Sequence, residues 1–387
     1  MTGCIVGWSH LPFGKHEDED VESMIVKVAA EAVADAGFEP KDVDAVYLGH
    51  FNGGFSPQDF TASLVFQSSD DFRFKPATRV ENACATGSAA VQGLNLIAAK
   101  KARVVLCVGV EQMTRLPGKQ IGETLLKASY LKEEAGIEGG FAGVFGQIAQ
   151  AYYQRHGDQS DALAMIAAKN HANGVHNPYA QMRKDLGYEF CRNESEKNPF
   201  VAGPLKRTDC SLVSDGAAAL VLTDVETALG RDKAIAFRAA AQVNDFLPMS
   251  KRDIIQFEGC GEAWRQALGV AGVGLDDLSF VETHDCFTIA ELIEYEAMGL
   301  TAPGQGARAV KEGWTHKDGK LPVNPSGGLK AKGHPIGATG VSMHVLTSMQ
   351  LRGEAGDMQI KGAKMGGIFN MGGAAVANYV SILEPLR

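Results

Sequence analysis

The apolar positions of the chain switch repeatedly between helical spacing and continuous strand-length runs. Met24, Ile25, Val28, Ala32 and Ala36 recur at three- and four-residue intervals, which predicts an amphipathic helix over 21–36 stopped by Gly37. V-D-A-V-Y-L-G (43–49) predicts a short strand. Small residues from Cys84 onward predict a helix reaching about Ala102. R-V-V-L-C-V-G-V (103–110) follows it, continuous and rich in β-branched residues, as a strand covered on both faces should be. Such β-α-β alternation implies a parallel sheet covered by helices.

The pattern also repeats. A-G-F-E-P-K-D-V-D-A-V (36–46) resembles A-G-V-G-L-D-D-L-S-F-V (271–281) at a constant offset of 235, and C-A-T-G-S (84–88) resembles G-A-T-G-V (337–341) at an offset of 253. Two matches in the same order indicate a duplicated α/β half, the second copy beginning near Ala234. The stretch 115–202 fits neither copy. With Gly139-Gly140, Tyr152-Tyr153, N-P-Y-A-Q (177–181) and N-E-S-E-K-N-P (193–199), it reads as an inserted layer of helices and loops, suited to a substrate surface or to dimer packing.

Composition narrows the class. The 387 residues are 45% apolar and 21% charged, an ordinary globular mix. A net charge of -9 argues against nucleic acid as the main partner. The seven cysteines show no C-x-x-C pairing, so neither a disulfide framework nor a structural zinc site is expected, and no metal is assigned. No signal-like start and no apolar run of membrane-spanning length is present, which places the chain in the cytoplasm by default.

Candidate chemistry clusters in four segments. Cys84, in V-E-N-A-C-A-T-G-S, follows a predicted strand and opens a small-residue helix, where free N–H groups favour a thiolate or an oxyanion; a small buried core cysteine is the plainer reading. His334, in N-P-S-G-G-L-K-A-K-G-H-P-I-G-A-T-G (324–340), is pinned by Gly333 and Pro335 as a general base would be, or is simply a turn histidine. Lys330 and Lys332 beside it are suited to phosphate or to solvent. In V-E-T-H-D-C-F-T (281–288), His284, Asp285 and Cys286 fall at the C-terminal end of a predicted strand, where open α/β sheets place ligands; metal ligation is the alternative. G-G-I-F-N-M-G-G-A-A (366–375) is a glycine-rich turn able to supply backbone donors, or a hairpin.

Taken in this order, the helix-start cysteine, G-H-P-I-G-A-T-G, S-D-G-A-A-A-L-V-L (214–222) and the terminal G-G turn resemble the thiolase superfamily over essentially the whole chain. The resemblance implies the α/β thiolase fold: two duplicated βαβαβαββ halves in an α-β-α-β-α arrangement with a loop domain. Residues 1–114 and 203–233 would form the first half, 115–202 the loop domain and 234–387 the second half. H-D-C-F (284–287), N-P-Y-A-Q and D-C-S-L-V-S-D-G (209–216) are most similar to the sterol-carrier-type thiolases and archaeal and bacterial acetyl-CoA acetyltransferases. That branch implies Cys84 as nucleophile, His334 as its base, Cys286 as the acid/base on carbon and His284 as an oxyanion donor. Asn370 and Gly372 would complete the oxyanion and substrate contacts. Lys330, Lys332 and Ser326 are candidates for holding coenzyme A, which is a substrate and product, with no tightly bound cofactor. Phe369 departs from the branch, which usually has histidine before the terminal asparagine. The activity implied is reversible thiolysis of 3-oxoacyl-CoA, or condensation of acyl-CoAs. Ketoacyl synthases, thiolase-like aldolases and non-enzymatic lipid carriers or scaffolds are the competing readings. A homodimer or tetramer, and a small zinc-ribbon/OB-fold companion in some archaeal relatives, are the implied protein partners.

Overall fold

The computed structural model describes residues 3–386; Met1, Thr2 and Arg387 lie outside the described residues. The first helix forms as its periodicity predicts, over Val21–Asp35. Asp20 caps it by accepting the Ser23 N–H while the Ser23 hydroxyl accepts the Asp20 N–H, and Met24, Ile25, Val28 and Ala32 face inward. It stops at Gly37, whose φ of +66° suits glycine.

Eleven strands are described: β1 (Cys4–His10), β2 (Ala45–Gly49), β3 (Ala77–Val80), β4 (Val104–Gln112), β5 (Phe200–Ala202), β6 (Leu205–Lys206), β7 (Asp215–Thr223), β8 (Ile235–Asn244), β9 (Phe280–Glu282), β10 (Gly366–Gly372) and β11 (Ala377–Pro385). Nine of them form one mixed sheet in the order β3-β2-β4-β7-β1-β8-β11-β10-β9, and β5 and β6 form a separate hairpin. Its two halves match strand for strand (β1 with β8, β7 with β11, β4 with β10, β2 with β9). The counterpart of β3 shrinks to a single parallel bridge between Val281 and Val323. The halves join through a short antiparallel pairing of Cys4 with Ala236 and Ile5 with Ile235.

The duplication read from the sequence is physical. At the offset of 235, the 3-10 turn Pro40–Asp42 falls on Leu275–Asp277, and Gly37 (φ +66°) falls on Gly272 (φ +67°). At the offset of 253, the helix Thr86–Val91 matches the start of the long helix Ile336–Arg352. These two helices lie between the half-sheets and share one apolar core with both of them. The helix Val21–Asp35 covers the outer face of the first half, and Glu258–Ala271 and Thr288–Ala297 cover that of the second. The layers therefore run α-β-α-β-α. The helix after Cys84 is shorter than its composition predicts, ending at Val91 before a second piece, Leu94–Ala98. A Cβ on Gly93 would meet Val105 Cγ1 of β4 at 2.8 Å, so the chain breaks its helix where it rests on the sheet.

Candidate active site

Cys84 follows β3 in a turn tied down from both sides. Ala83 is left-handed at φ +49°, an uncommon conformation for a residue with a Cβ. The Thr86 hydroxyl accepts the Asn82 N–H at 2.8 Å and donates to the Ala83 carbonyl at 2.6 Å. The short helix begins only at Thr86, so its dipole reaches Cys84 weakly. Burial pushes the Cys84 thiol up to about 12, against backbone N–H groups of Gly373 and Cys84 that pull it down. The resting group is a thiol and needs a base.

His334 is placed to offer one, a ring nitrogen lying within 4.8 Å of the Cys84 sulfur. Gly333, at φ +114°, brings the chain so close to Ser214 that a Cβ would meet its Oγ at 2.6 Å, and that hydroxyl accepts the His334 N–H at 3.1 Å. The ring Nδ1 lies 2.7 Å from Thr339 Oγ1, whose hydroxyl donates to the Pro335 carbonyl at 3.1 Å. With that hydrogen given to Pro335, the oxygen accepts from Nδ1–H and leaves Nε2 as a bare acceptor. Burial, then the Lys332 cation, lowers His334 to about 3, so the ring is neutral.

His284 carries the opposite tautomer. Asn370 Nδ2 donates to the Cys84 carbonyl at 3.1 Å, which fixes the amide, and to His284 Nδ1 at 2.8 Å. Nδ1 therefore accepts and Nε2 carries hydrogen. Burial first, then His334 and Lys332, holds His284 well below its usual range. The Nε2 atoms of both histidines have no protein partner among the described residues. Cys84, His284 and His334 present sulfur and nitrogen atoms within 4.8 Å of one another, the two rings meeting edge-on at 5.1 Å between centroids. Three such ligand atoms match an open metal site in number, but a protonated Nε2 on His284 suits a hydrogen-bond donor better than a ligand.

Cys84, Cys286 and His334 open on one cavity of about 530 Å³. Burial holds the Cys286 thiol well above its usual range, and a thiolate on Cys84 would raise it further. Much of the wall is apolar and comes from the inserted stretch, including Ile121, Leu125, Phe141 and Val201. Arg207 is the cationic residue on it. A larger groove of about 860 Å³ lies against Gly372 and Gly373, lined by Arg79, Asn82 and Leu247 among others; none of the four reactive side chains lines it.

Comparison with known proteins agrees with this geometry. The family model described as "Thiolase, N-terminal domain" matches residues 4–226, and "Thiolase C-terminal domain-like" matches residues 241–385. The chain belongs to the thiolase family. It is 36% identical to an acetyl-CoA acetyltransferase of Methanothermobacter thermautotrophicus over 98% of this chain and 99% of that protein. It is 33% identical to sterol carrier protein 2 of Oryctolagus cuniculus, covering 94% of this chain and 68% of the relative. A solved Ltp2-ChsH2(DUF35) aldolase shares the fold, with a TM-score of 0.84 at 21% identity, covering 100% of this chain and 98% of that one.

Lys330, Lys332 and Ser326, the candidates for holding coenzyme A, are all buried and none lines the cavity. Lys330 Nζ donates to the Cys210 carbonyl, Ser326 Oγ donates to Glu282 at 2.6 Å, and Lys332 lies near Phe13 with no hydrogen-bond acceptor among the described residues. The motif's glycines turn this segment inward rather than toward solvent. Gly372 packs on the Asn82 carbonyl, 2.2 Å from where its Cβ would be, and the backbone of Gly373 beside it acts to lower the Cys84 thiol. Phe369 is a buried core residue packed with the cluster that holds Cys286 and Met371. Thr339 was not legible as a neighbour of the site, although the repeat offered a signal, because Thr339 falls on Thr86.

Proposed function

We propose that this thiolase-family chain is an acyltransferase that makes or breaks the carbon–carbon bond next to a coenzyme A thioester. The observation that carries the reading is the convergence of a buried thiol and two buried histidines, whose sulfur and ring nitrogen atoms lie within 4.8 Å of one another. In the cleavage direction, His334 Nε2 takes the Cys84 proton and the thiolate attacks the 3-keto carbon of a 3-oxoacyl-CoA. The tetrahedral oxyanion accepts from the N–H groups of Cys84 and Gly372. Its collapse breaks the Cα–Cβ bond and leaves the electron pair on an enolate, whose oxygen accepts from His284 Nε2–H and the His334 imidazolium. Cys286 donates its proton to the enolate carbon, releasing acetyl-CoA. A second coenzyme A gives its thiol proton to the Cys286 thiolate and attacks acyl-Cys84, and the departing Cys84 sulfur recovers its proton from His334.

The match over nearly the full length of an acetyl-CoA acetyltransferase supports acetyl transfer; the apolar cavity wall supports longer acyl groups as well. Thiolysis of 3-oxoacyl-CoAs of graded chain length is the test. Cys84→Ala abolishes acyl transfer and thiolysis, whereas Cys286→Ala retains acylation of Cys84 and loses carbon–carbon chemistry. Full condensation by Cys286→Ala would sink its assignment. The fold match to an aldolase carries a second reading, retro-aldol cleavage, which would survive in Cys84→Ala. A scaffold or lipid-carrier role would survive alkylation of Cys84. Running each assay with and without a DUF35-type protein, of the kind named with that aldolase, tests for a companion. The outer edge of β3 is unpaired among the described residues and Phe74 near it is 87% exposed, which supports assembly as a homodimer or tetramer.

A further inference from the structure

Two carboxylates lie one turn apart on the helix Thr288–Ala297, both fully buried, in unlike surroundings. Glu291 is surrounded by donors: Lys169 Nζ at 2.7 Å, Asn170 Nδ2 at 2.6 Å, Asn324 Nδ2 at 3.0 Å and the Tyr295 hydroxyl. Glu294 has no ion-pair partner among the described residues. Its Oε2 accepts the Thr283 hydroxyl and, at 3.1 Å, the backbone N–H of His284, while Oε1 has no partner among the described residues. The titratable groups acting on it or near it are Glu291 on its own helix, Asp285 and Cys286 in the loop, and Cys260 on the helix Glu258–Ala271. Lys169, on the packed helix Ser160–Gly174, is committed to Glu291 and to the Val323 carbonyl. A buried carboxyl with two donors on one oxygen, none on the other and anionic neighbours keeps its proton.

We propose that Glu294 is a positioning residue, held as an uncharged carboxylic acid, which clasps Thr283 and the His284 backbone and so aims His284 and Cys286 toward Cys84. Oε2 then serves as the carbonyl acceptor and Oε1 carries the hydrogen. A neutral acid adds no negative charge behind the enolate, whereas an ionised one would oppose it. Burial and the charges of Glu291 and Asp285 also hold this carboxyl well above the usual range. The aiming role rests on the acyltransferase reading; the protonation state does not.

The test uses the full chain with Glu294→Gln and Glu294→Ala. The infrared difference between wild type and Glu294→Gln at neutral pH is expected to lose a protonated-carboxyl C=O stretch; loss of a carboxylate doublet instead overturns the proposal. In Glu294→Ala, exchange of the acetyl-CoA α-proton with solvent deuterium is expected to slow about 100-fold, the scale of a small misplacement of reacting groups, while acylation of Cys84 persists. Glu294→Gln restores the exchange. Unchanged exchange in Glu294→Ala, or equal loss in both variants, overturns the clasp. If Glu294→Ala does not fold, the infrared band and exchange in Glu294→Gln decide. A wild-type protein that neither acylates Cys84 nor exchanges the proton sinks the acyltransferase reading instead, and the infrared band still judges Glu294.

Discussion

Two neutral histidines beside one thiol do different work because their second nitrogens are held differently. Thr339 accepts from His334 and leaves it a base; Asn370 donates to His284 and leaves it a donor. Thr339→Val removes the acceptor, so the ring loses its tautomer. Its iodoacetamide reaction at Cys84 is expected to slow by roughly 100-fold at most, the low end of what a positioned base contributes. An unchanged alkylation rate would show that Thr339 does not set the base. Asn370→Asp replaces the donor by an acceptor and draws the hydrogen of His284 to Nδ1. Loss of that oxyanion donor is expected to lower condensation about 100- to 1,000-fold. Acyl transfer to Cys84, followed by mass spectrometry, falls far less. Cys84, His334, His284 and Cys286 stood out in the sequence as candidates because they fall in three short motifs, His284 and Cys286 sharing one. Their tautomers were not, because the bond from Asn370 to His284 spans 86 residues. The buried fate of Lys330 and Lys332 was equally hidden, since a lysine in a glycine-rich loop looks the same whether it meets solvent or the interior.

At the scale of elements, the site is the place where two copies of one motif meet. Thr86 anchors the turn of Cys84, and its counterpart Thr339 anchors the ring of His334. The helices carrying them cross at another matched pair, Gly87 and Gly340. A Cβ on Gly87 would lie 2.5 Å from the Gly340 nitrogen, and one on Gly340 would lie 2.1 Å from the Ser88 nitrogen. Both obstacles are backbone, so neither can rotate away. Gly340→Ala is therefore expected to destabilise the fold by about 3 kcal/mol, the upper range for overpacking, and to shift the turn that presents Cys84. Urea unfolding and Cys84 alkylation measure the two effects; loss of less than about 0.5 kcal/mol, the scatter of ordinary surface substitutions, would show that the crossing has slack. The repeat was readable because duplicated turns keep their glycines and threonines. The length of the helix after Cys84 was not, because its break depends on the contact of Gly93 with β4 rather than on the helix's own composition.

Across the whole molecule, the interior holds an unusual number of titratable groups, and they do not all move stability the same way. Burial lowers His10, His171 and His334 to about 3 and His344 to about 4, and holds His284 well below its usual range. Each binds its proton more readily unfolded, so its contribution is complete above about 6.5 and is lost as pH falls toward 3. Burial raises Asp285 to about 7, and raises Glu282 and Glu294. These carboxyls bind protons more readily folded, so their contribution is complete below the unfolded range near 4 and is lost as pH rises toward neutrality. Between about pH 5 and 6 these five histidines, joined by His316, which desolvation also lowers, outnumber the three carboxyls, so stability rises with pH. Below about 4 the unfolded carboxyls are protonated as well and their opposition vanishes, while carboxyls held low in the fold, Glu262 at about 2 and Asp253 among them, add to the loss, so the slope steepens. Denaturant midpoints measured from pH 7 to 3.5 are expected to fall throughout, and faster below pH 4 than above pH 5. A midpoint that rises on acidification from pH 6 to 5 would mean that the buried carboxyls outweigh the histidines. The infrared measurement on Glu294 would then be the place to look for the reason, because a Glu294 that keeps its proton at neutral pH adds to the folded state's side of that balance.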